Sequence, residues 1–192
     1  MIPKVIHYCW FGGNSKPELV QKCIESWKQH CPAYKIVEWN ESNFDVNCID
    51  YVKCAYQDKK WAFVSDYARL WIIYNNGGIY LDTDVLLKNN LDDLLSYDCW
   101  LASDDVRYIA TGLGFGAVKN HYIIEKLMNG YSNYEYPSGT NVSRDTKVLE
   151  NLLPNWRKSD TNQILDGILI IGLKDYGKWA KHLYICLLYT SP

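Results

Sequence analysis

The sequence predicts an α/β protein with a single Rossmann-like sheet flanked by helices, and three observations carry that prediction. A short β-branched and aromatic run, Val5 to Trp10, is followed by a segment with apolar residues at helical spacing and then by a second strand-like run. A later stretch, Trp61 to Asn75, is apolar almost all round, as a helix buried between layers is. It breaks at Asn75-Asn76-Gly77-Gly78 and reopens into Ile79-Tyr80-Leu81, which has the character of a buried strand. Alternation of this kind packs helices against a sheet.

Taken in order, Val5 to Trp10 is the first strand, and Pro17 to His30 an amphipathic helix with Leu19, Val20, Cys23, Ile24 and Trp27 on its apolar side. Tyr34 to Trp39 is the second strand, 40–50 a polar loop, and Tyr51 to Tyr56 a short helix. Beyond Leu87 the pattern weakens. Leu91 to Leu95 reads as a helical turn, Cys99 to Ser103 and Leu113 to Val118 as strands, and His121 to Tyr131 as a helix. Tyr134 to Thr140 is turn-rich, Asp145 to Leu153 reads as a last helix stopped by Pro154, and Ile164 to Ile171 as a strand. Gly112 to Ala117 matches the dinucleotide fingerprint G-x-G-x-x-[GA] in form. The alternation of Leu113, Phe115 and Ala117 is strand-like and no βαβ unit frames it, so a strand is the reading adopted.

With 192 residues, 48% of them hydrophobic, one domain over 1–185 is expected. Residues 186–192, Cys-Leu-Leu-Tyr-Thr-Ser-Pro, look like a translated sequencing adapter, which would leave the natural chain truncated near Ile185. Twenty basic against 22 acidic residues leave no basic footprint for nucleic acid. No window approaches the length of a membrane span, and a cytoplasmic location is expected, with peripheral attachment at the inner face of the membrane left open. Oligomeric state is not specified by the sequence. Seven cysteines without C-x-x-C spacing read as free, mostly buried thiols. Sequons at Asn40 and Asn141 have no consequence without a secretory signal.

The chemistry concentrates at Asp82-Thr83-Asp84, just beyond the predicted strand. If strand geometry persists through Thr83, both carboxylates fall on one side, close enough to repel unless a cation lies between them. Hard oxygen ligands of this kind suit Mg²⁺ or Mn²⁺ together with substrate phosphates. An isolated D-x-D is more often a solvated turn, so the surroundings decide. On the preceding apolar helix, Asp66 and Arg69 lie three residues apart on a face shared with Ala62 and Ile73, where unpaired charges are costly. They pair with each other, or they line one pocket with Asp82 and Asp84.

Ile2-Pro3-Lys4-Val5-Ile6-His7-Tyr8-Cys9-Trp10, Ser65-Asp66-Tyr67-Ala68-Arg69-Leu70 and Gly77-Gly78-Ile79-Tyr80-Leu81-Asp82-Thr83-Asp84 together resemble the DxD-containing glycosyltransferases of the sugar-binding-region family, glycosyltransferase family 32. That group includes yeast initiation mannosyltransferases and bacterial capsular and lipopolysaccharide transferases. The resemblance covers roughly the first 90 residues and thins beyond Tyr131. It implies a GT-A fold and retaining, metal-dependent transfer of a hexose from a UDP- or GDP-sugar to a glycan or lipid-linked oligosaccharide, in capsule, lipopolysaccharide or exopolysaccharide synthesis.

The resemblance also implies roles. Trp10 would stack on the nucleotide base, a core tryptophan being the equal alternative. Ser65, Asp66 and Arg69 would line the donor site, the last two contacting ribose and sugar hydroxyls. Asp82 would touch ribose and sugar and reach Mn²⁺ or Mg²⁺ through water, and Asp84 would ligate the metal directly. Tyr80 would border the donor sugar unless it is a buried core tyrosine. The metal at Asp84 would stabilise the departing diphosphate, and Arg69 would either add to that or only orient the sugar. No residue is named as a nucleophile, and front-face attack by the acceptor hydroxyl is the working mechanism. The family also carries histidine-rich and tryptophan-containing carboxy-terminal sequence near the metal; here only His182 is left near the suspected break, in a poorly matching context. The alternatives are an Asp-x-Asp phosphohydrolase, which usually carries its motif on the first strand, and a nucleotide-sugar or metal-binding module without turnover.

Overall fold

The computed structural model describes residues 1–104, 108–131 and 140–183. The suspected tail at 186–192 and most of the turn-rich stretch at 134–140 lie outside them. The amino-terminal half follows the predicted order: β1 (Val5–Cys9), α1 (Glu18–His30), β2 (Lys35–Trp39), α2 (Asp50–Gln57), α3 (Trp61–Asn76) and β3 (Gly78–Tyr80). There follow β4 (Val85–Leu87), a 3₁₀ turn at Asp92–Leu94, β5 (Cys99–Ala102), β6 (Phe115–Ala117), α4 (Tyr122–Asn129), α5 (Asn141–Leu152), β7 (Gln163–Leu165), β8 (Ile168–Ile171), α6 (Leu173–Tyr176) and β9 (Ala180–His182).

Seven strands form the central sheet in the order β2-β1-β3-β6-β5-β8-β7, while β4 and β9 pair antiparallel in a small separate ribbon. β1 runs parallel to β2 and β3, β6 lies antiparallel between β3 and β5, and β5 is parallel to β8. Alternate residues feed opposite faces. Cys9, Cys99, Leu101, Ile168 and Ile170 point into a core shared with α2, α3, α4 and α5. Ile6, Tyr8, Trp100, Leu169 and Ile171 point into a second core closed by α1 and the ribbon.

Several boundaries differ from expectation. Leu19 is exposed, because the buried stripe of α1 runs through Val20, Cys23 and Trp27 and Leu19 lies one residue off it. The strand expected across Ile164 to Ile171 is a hairpin. Asp166 and Gly167 both take positive φ, the signature of a tight two-residue turn. The helix expected from Asp145 begins at Asn141, where the Thr140 hydroxyl caps the Ser143 N–H, and it is followed by α6 rather than being the last. The fingerprint at 112–117 is indeed strand from Phe115 onward.

The α3–β3 junction sets the active edge of the sheet. Gly77 ends α3 at φ 69° and donates its N–H to Ile73 O, and Gly78 follows at φ 105°. A Cβ on Gly78 would come within 2.8 Å of Val5 O and 2.9 Å of His7 Nε2, so only glycine lets β3 dock flush on β1. His7 completes the joint: its Nε2 lies 3.1 Å from Gly77 O and its Nδ1 accepts the Trp39 indole N–H at 3.0 Å.

Candidate active site

Strand geometry stops at Tyr80. The chain then turns back within Asp82 to Val85, where the Val85 N–H donates to Asp82 O at 3.1 Å, and Thr83 is buried in the turn. The two carboxylates therefore approach each other across a turn and not by strand alternation, which corrects the geometric premise while keeping both on one cavity. α1 fixes the outgoing arm: Trp27 donates its indole N–H to Val85 O at 2.7 Å, and Leu87 donates its N–H to Ser26 Oγ at 3.0 Å.

Arg69 joins the two halves of the site. Its guanidinium lies 3.0 Å from Asp66 Oδ1 and 3.4 Å from Asp82 Oδ1, with only 4% of its side chain exposed. The Arg69 Nε–H also donates to Ser65 O. Of the two readings for the Asp66–Arg69 pair, the structure contains both: they pair, and they face the cavity that Asp82 and Asp84 also line. That cavity, of about 800 Å³, is bounded by Trp10, Ser65, Asp66, Arg69, Asp82 and Asp84 among others.

Tyr80 is buried at 1% exposure and stands outside the cavity wall. It supports Asp82 from behind, donating its hydroxyl to Asp82 Oδ1 at 2.9 Å, while the Arg69 guanidinium lies 5.2 Å from its ring centre. This placement accords with the alternative reading of Tyr80 as a buried core tyrosine, which meets the cavity through Asp82. Trp10 does reach the cavity, beyond the end of β1; its indole N–H donates to Asn14 O at 2.7 Å, and the Lys16 ammonium lies 5.6 Å from its ring. Cys9, on the same wall, is a buried thiol.

Burial dominates the electrostatics. It pushes the Asp66 carboxyl up to about 7, against the pull of Arg69 and Arg144. Asp82 is also raised, first by desolvation and further by the neighbouring Asp84, with Arg69 and the Tyr80 hydroxyl opposing; 31% of its side chain is still open to the cavity. Arg69 stays charged: desolvation would lower it, but Asp82, Tyr80 and Asp66 outweigh that and raise it.

His182 is the residue that sequence reasoning undervalued. Pairing of β9 with β4 sets His182 opposite Val85, and its Nε2 lies 2.9 Å from Asp84 Oδ2. Asp84 and His182 thus offer a carboxylate oxygen and an imidazole nitrogen side by side on the cavity wall. Among the described residues no group of three or more His, Cys, Asp or Glu side chains converges as a complete ligand set. A divalent ion that keeps waters and takes substrate phosphate oxygens needs only one or two protein ligands, and this pair fits it.

Gly112, read from sequence only as part of a discounted motif, borders the same cavity. Asp82 donates its N–H to Gly112 O at 3.2 Å. A Cβ at this position would collide with Asp82 Oδ2 and come within 3.1 Å of Arg69 Nη1.

Comparison with known proteins bears on the family and the fold. Residues 17–101 match the family described as glycosyltransferase sugar-binding region containing DXD motif. An uncharacterised glycosyltransferase of Acanthamoeba polyphaga mimivirus is 25% identical, the match covering 98% of this chain and 88% of the relative. Inositol phosphoceramide mannosyltransferase 3 of Schizosaccharomyces pombe is 31% identical over 82% of this chain, which spans only 46% of that relative's length. Among solved structures, the PaToxG glycosyltransferase superposes with a TM-score of 0.63 at 19% identity, covering 80% of this chain and 70% of the other. A glycosyltransferase involved in glycosylation of the PBCV-1 major capsid gives 0.54 at 13% identity, over 95% and 93%. The fold is of the GT-A type.

Proposed function

We propose that this chain, whose residues 17–101 match the DXD-containing glycosyltransferase family and which is 31% identical to a yeast mannosyltransferase over 82% of its length, moves a hexose from a UDP- or GDP-sugar to a glycan or lipid-linked acceptor. The observation that carries this reading is the meeting of Asp66, Arg69 and Asp82 beside the Asp84–His182 pair on one cavity wall. No transfer chemistry is needed from a covalent intermediate on this wall: retention follows if the acceptor hydroxyl attacks from the face the diphosphate leaves.

In this reading Trp10 presents its ring to the nucleotide base. Asp82, held by Tyr80 and Arg69, accepts hydrogen bonds from ribose and sugar hydroxyls. Arg69 orients the sugar and places its fixed positive charge near the departing diphosphate. Asp66 pairs with Arg69 and keeps the guanidinium in place, its carboxyl raised to about 7 by burial. Asp84 and His182 would hold Mn²⁺ or Mg²⁺. Bound there, the ion supplies Lewis-acid stabilisation of the diphosphate leaving group.

The name of the yeast relative, an inositol phosphoceramide mannosyltransferase, favours a glycolipid among the acceptors, and synthesis of capsule, lipopolysaccharide or exopolysaccharide is the proposed setting. No helix among the described residues is long and apolar enough to cross a membrane, so contact with a lipid-linked acceptor is proposed to be peripheral. A second reading, donor binding without turnover, is favoured by the chain spanning less than half of the yeast relative. The test is sugar transfer or release from UDP- and GDP-hexoses with Mn²⁺, and its loss in Asp84→Asn. Turnover that survives Asp84→Asn overturns the metal role given to Asp84; a wild type that neither binds nor turns over any of these donors overturns the transferase reading, and donor and metal binding without turnover establishes the second reading instead.

A further inference from the structure

We propose that Thr111 and Asp145 are positioning residues that set the Asp82 carboxylate through Gly112. Asp145 lies on α5 and is 1% exposed, and so is Thr111, yet neither faces the cavity. The Thr111 hydroxyl donates to Asp145 Oδ2 at 3.1 Å, and one residue further along α5, Thr146 Oγ1 accepts the Ile109 N–H at 2.9 Å. Arg144 lies 3.3 Å from the other Asp145 oxygen. Two adjacent side chains of one helix turn therefore hold the segment 109–111 at two points.

The next residue is Gly112, and what it touches gives this clamp its function. Its carbonyl receives the Asp82 N–H, and its bare Cα lies against the Asp82 carboxylate and the Arg69 guanidinium. A shift of the segment by a fraction of an ångström is transmitted to Asp82 by direct contact, since close-packed groups have no slack to absorb it. Apolar packing alone would hold such a segment at lower cost than a buried carboxylate does. Directional hydrogen bonds fix its height above Asp82, which apolar contacts do not. Placement errors of this size in a group that orients a reacting sugar cost rate steeply.

This inference rests on the proposed transfer activity, and the experiment separates the two. Donor kcat and KM are measured for the wild type, Thr111→Ser, which keeps the hydroxyl, and Thr111→Val, which keeps the shape without it. All are assayed at a temperature where near-ultraviolet circular dichroism shows them folded. The expected result is a fall in kcat/KM of at least about tenfold in Thr111→Val, carried mainly by kcat, with Thr111→Ser within about threefold of wild type. Wild-type kinetics in Thr111→Val overturn the positioning role and leave the transferase reading standing. Equal losses in both variants, following their melting temperatures, overturn it as well. A wild type that neither binds nor turns over any nucleotide-sugar removes both proposals.

Discussion

Lowering the pH from 7 to 5 should destabilise this protein by about 2 kcal/mol through one imidazole, His7. The ring is buried at 4% exposure, and both nitrogens are in use. Its Nδ1 accepts from the Trp39 indole, so the proton sits on Nε2, pointing at Gly77 O. A second proton would face the indole N–H donor and break that bond. Burial lowers His7 from 6.5 to about 4, with the Gly77 carbonyl opposing and Lys35 adding to the fall. Between those values the unfolded chain binds a proton that the folded chain refuses. The stability from neutral His7 is thus fully present above about 6.5 and is lost as pH falls toward 4, by about 2 kcal/mol at pH 5 and about 3 at pH 4. Asp66, Asp82 and Asp145 are raised, so they act in the opposite direction over part of this window and must be subtracted. The assay is therefore urea unfolding of wild type and His7→Gln, followed from pH 8 to 4. The stability of wild type relative to His7→Gln should be level above pH 7 and fall by about 2 kcal/mol by pH 5. A difference flat within about 0.5 kcal/mol over that range, or an imidazole that titrates near 6.5 by NMR, refutes the reasoning.

Tyr80→Phe keeps the ring but removes the hydroxyl from Asp82; kcat/KM should drop about tenfold, with unfolding free energy changed by about 1 kcal/mol or less. Gly112→Ala drives a methyl group into the Asp82 carboxylate and should reduce turnover about a hundredfold or more, while denaturant unfolding shows a loss of only about 1–3 kcal/mol. His182→Ala should weaken Mn²⁺ binding by at least about tenfold, or about 1.4 kcal/mol, measured calorimetrically in the presence of the nucleoside diphosphate.

The amino-terminal half was legible because its signals are local. An apolar helix stopped by Asn75-Asn76-Gly77-Gly78 leads into β3, and Asp66, Arg69 and Asp82 come together simply because that helix lies directly on the strand it precedes. The strand pair β4–β9 was not legible. Each strand has three residues, too few for periodicity to register, and each exists because the other pairs with it from far along the chain. His182 could not be placed beside Asp84 without that pairing. Gly112 was visible only as a motif fragment, since its contact with Asp82 depends on how β6 returns beside β3. The hairpin at Asp166-Gly167 did carry a sequence signal, an Asp-Gly pair between apolar runs, and the continuous apolar reading overrode it.

The β4–β9 ribbon imposes an order of events during synthesis. Asp66, Arg69, Asp82 and the glycine joint all belong to the first part of the chain to leave the ribosome, and they can pack as soon as the sheet forms around them. His182 cannot reach Asp84 until the chain has been made through β9. A nascent or prematurely ended chain would therefore assemble the charged cluster before the Asp84–His182 pair, and on the proposed reading the ability to hold a metal would be the last property the site acquires.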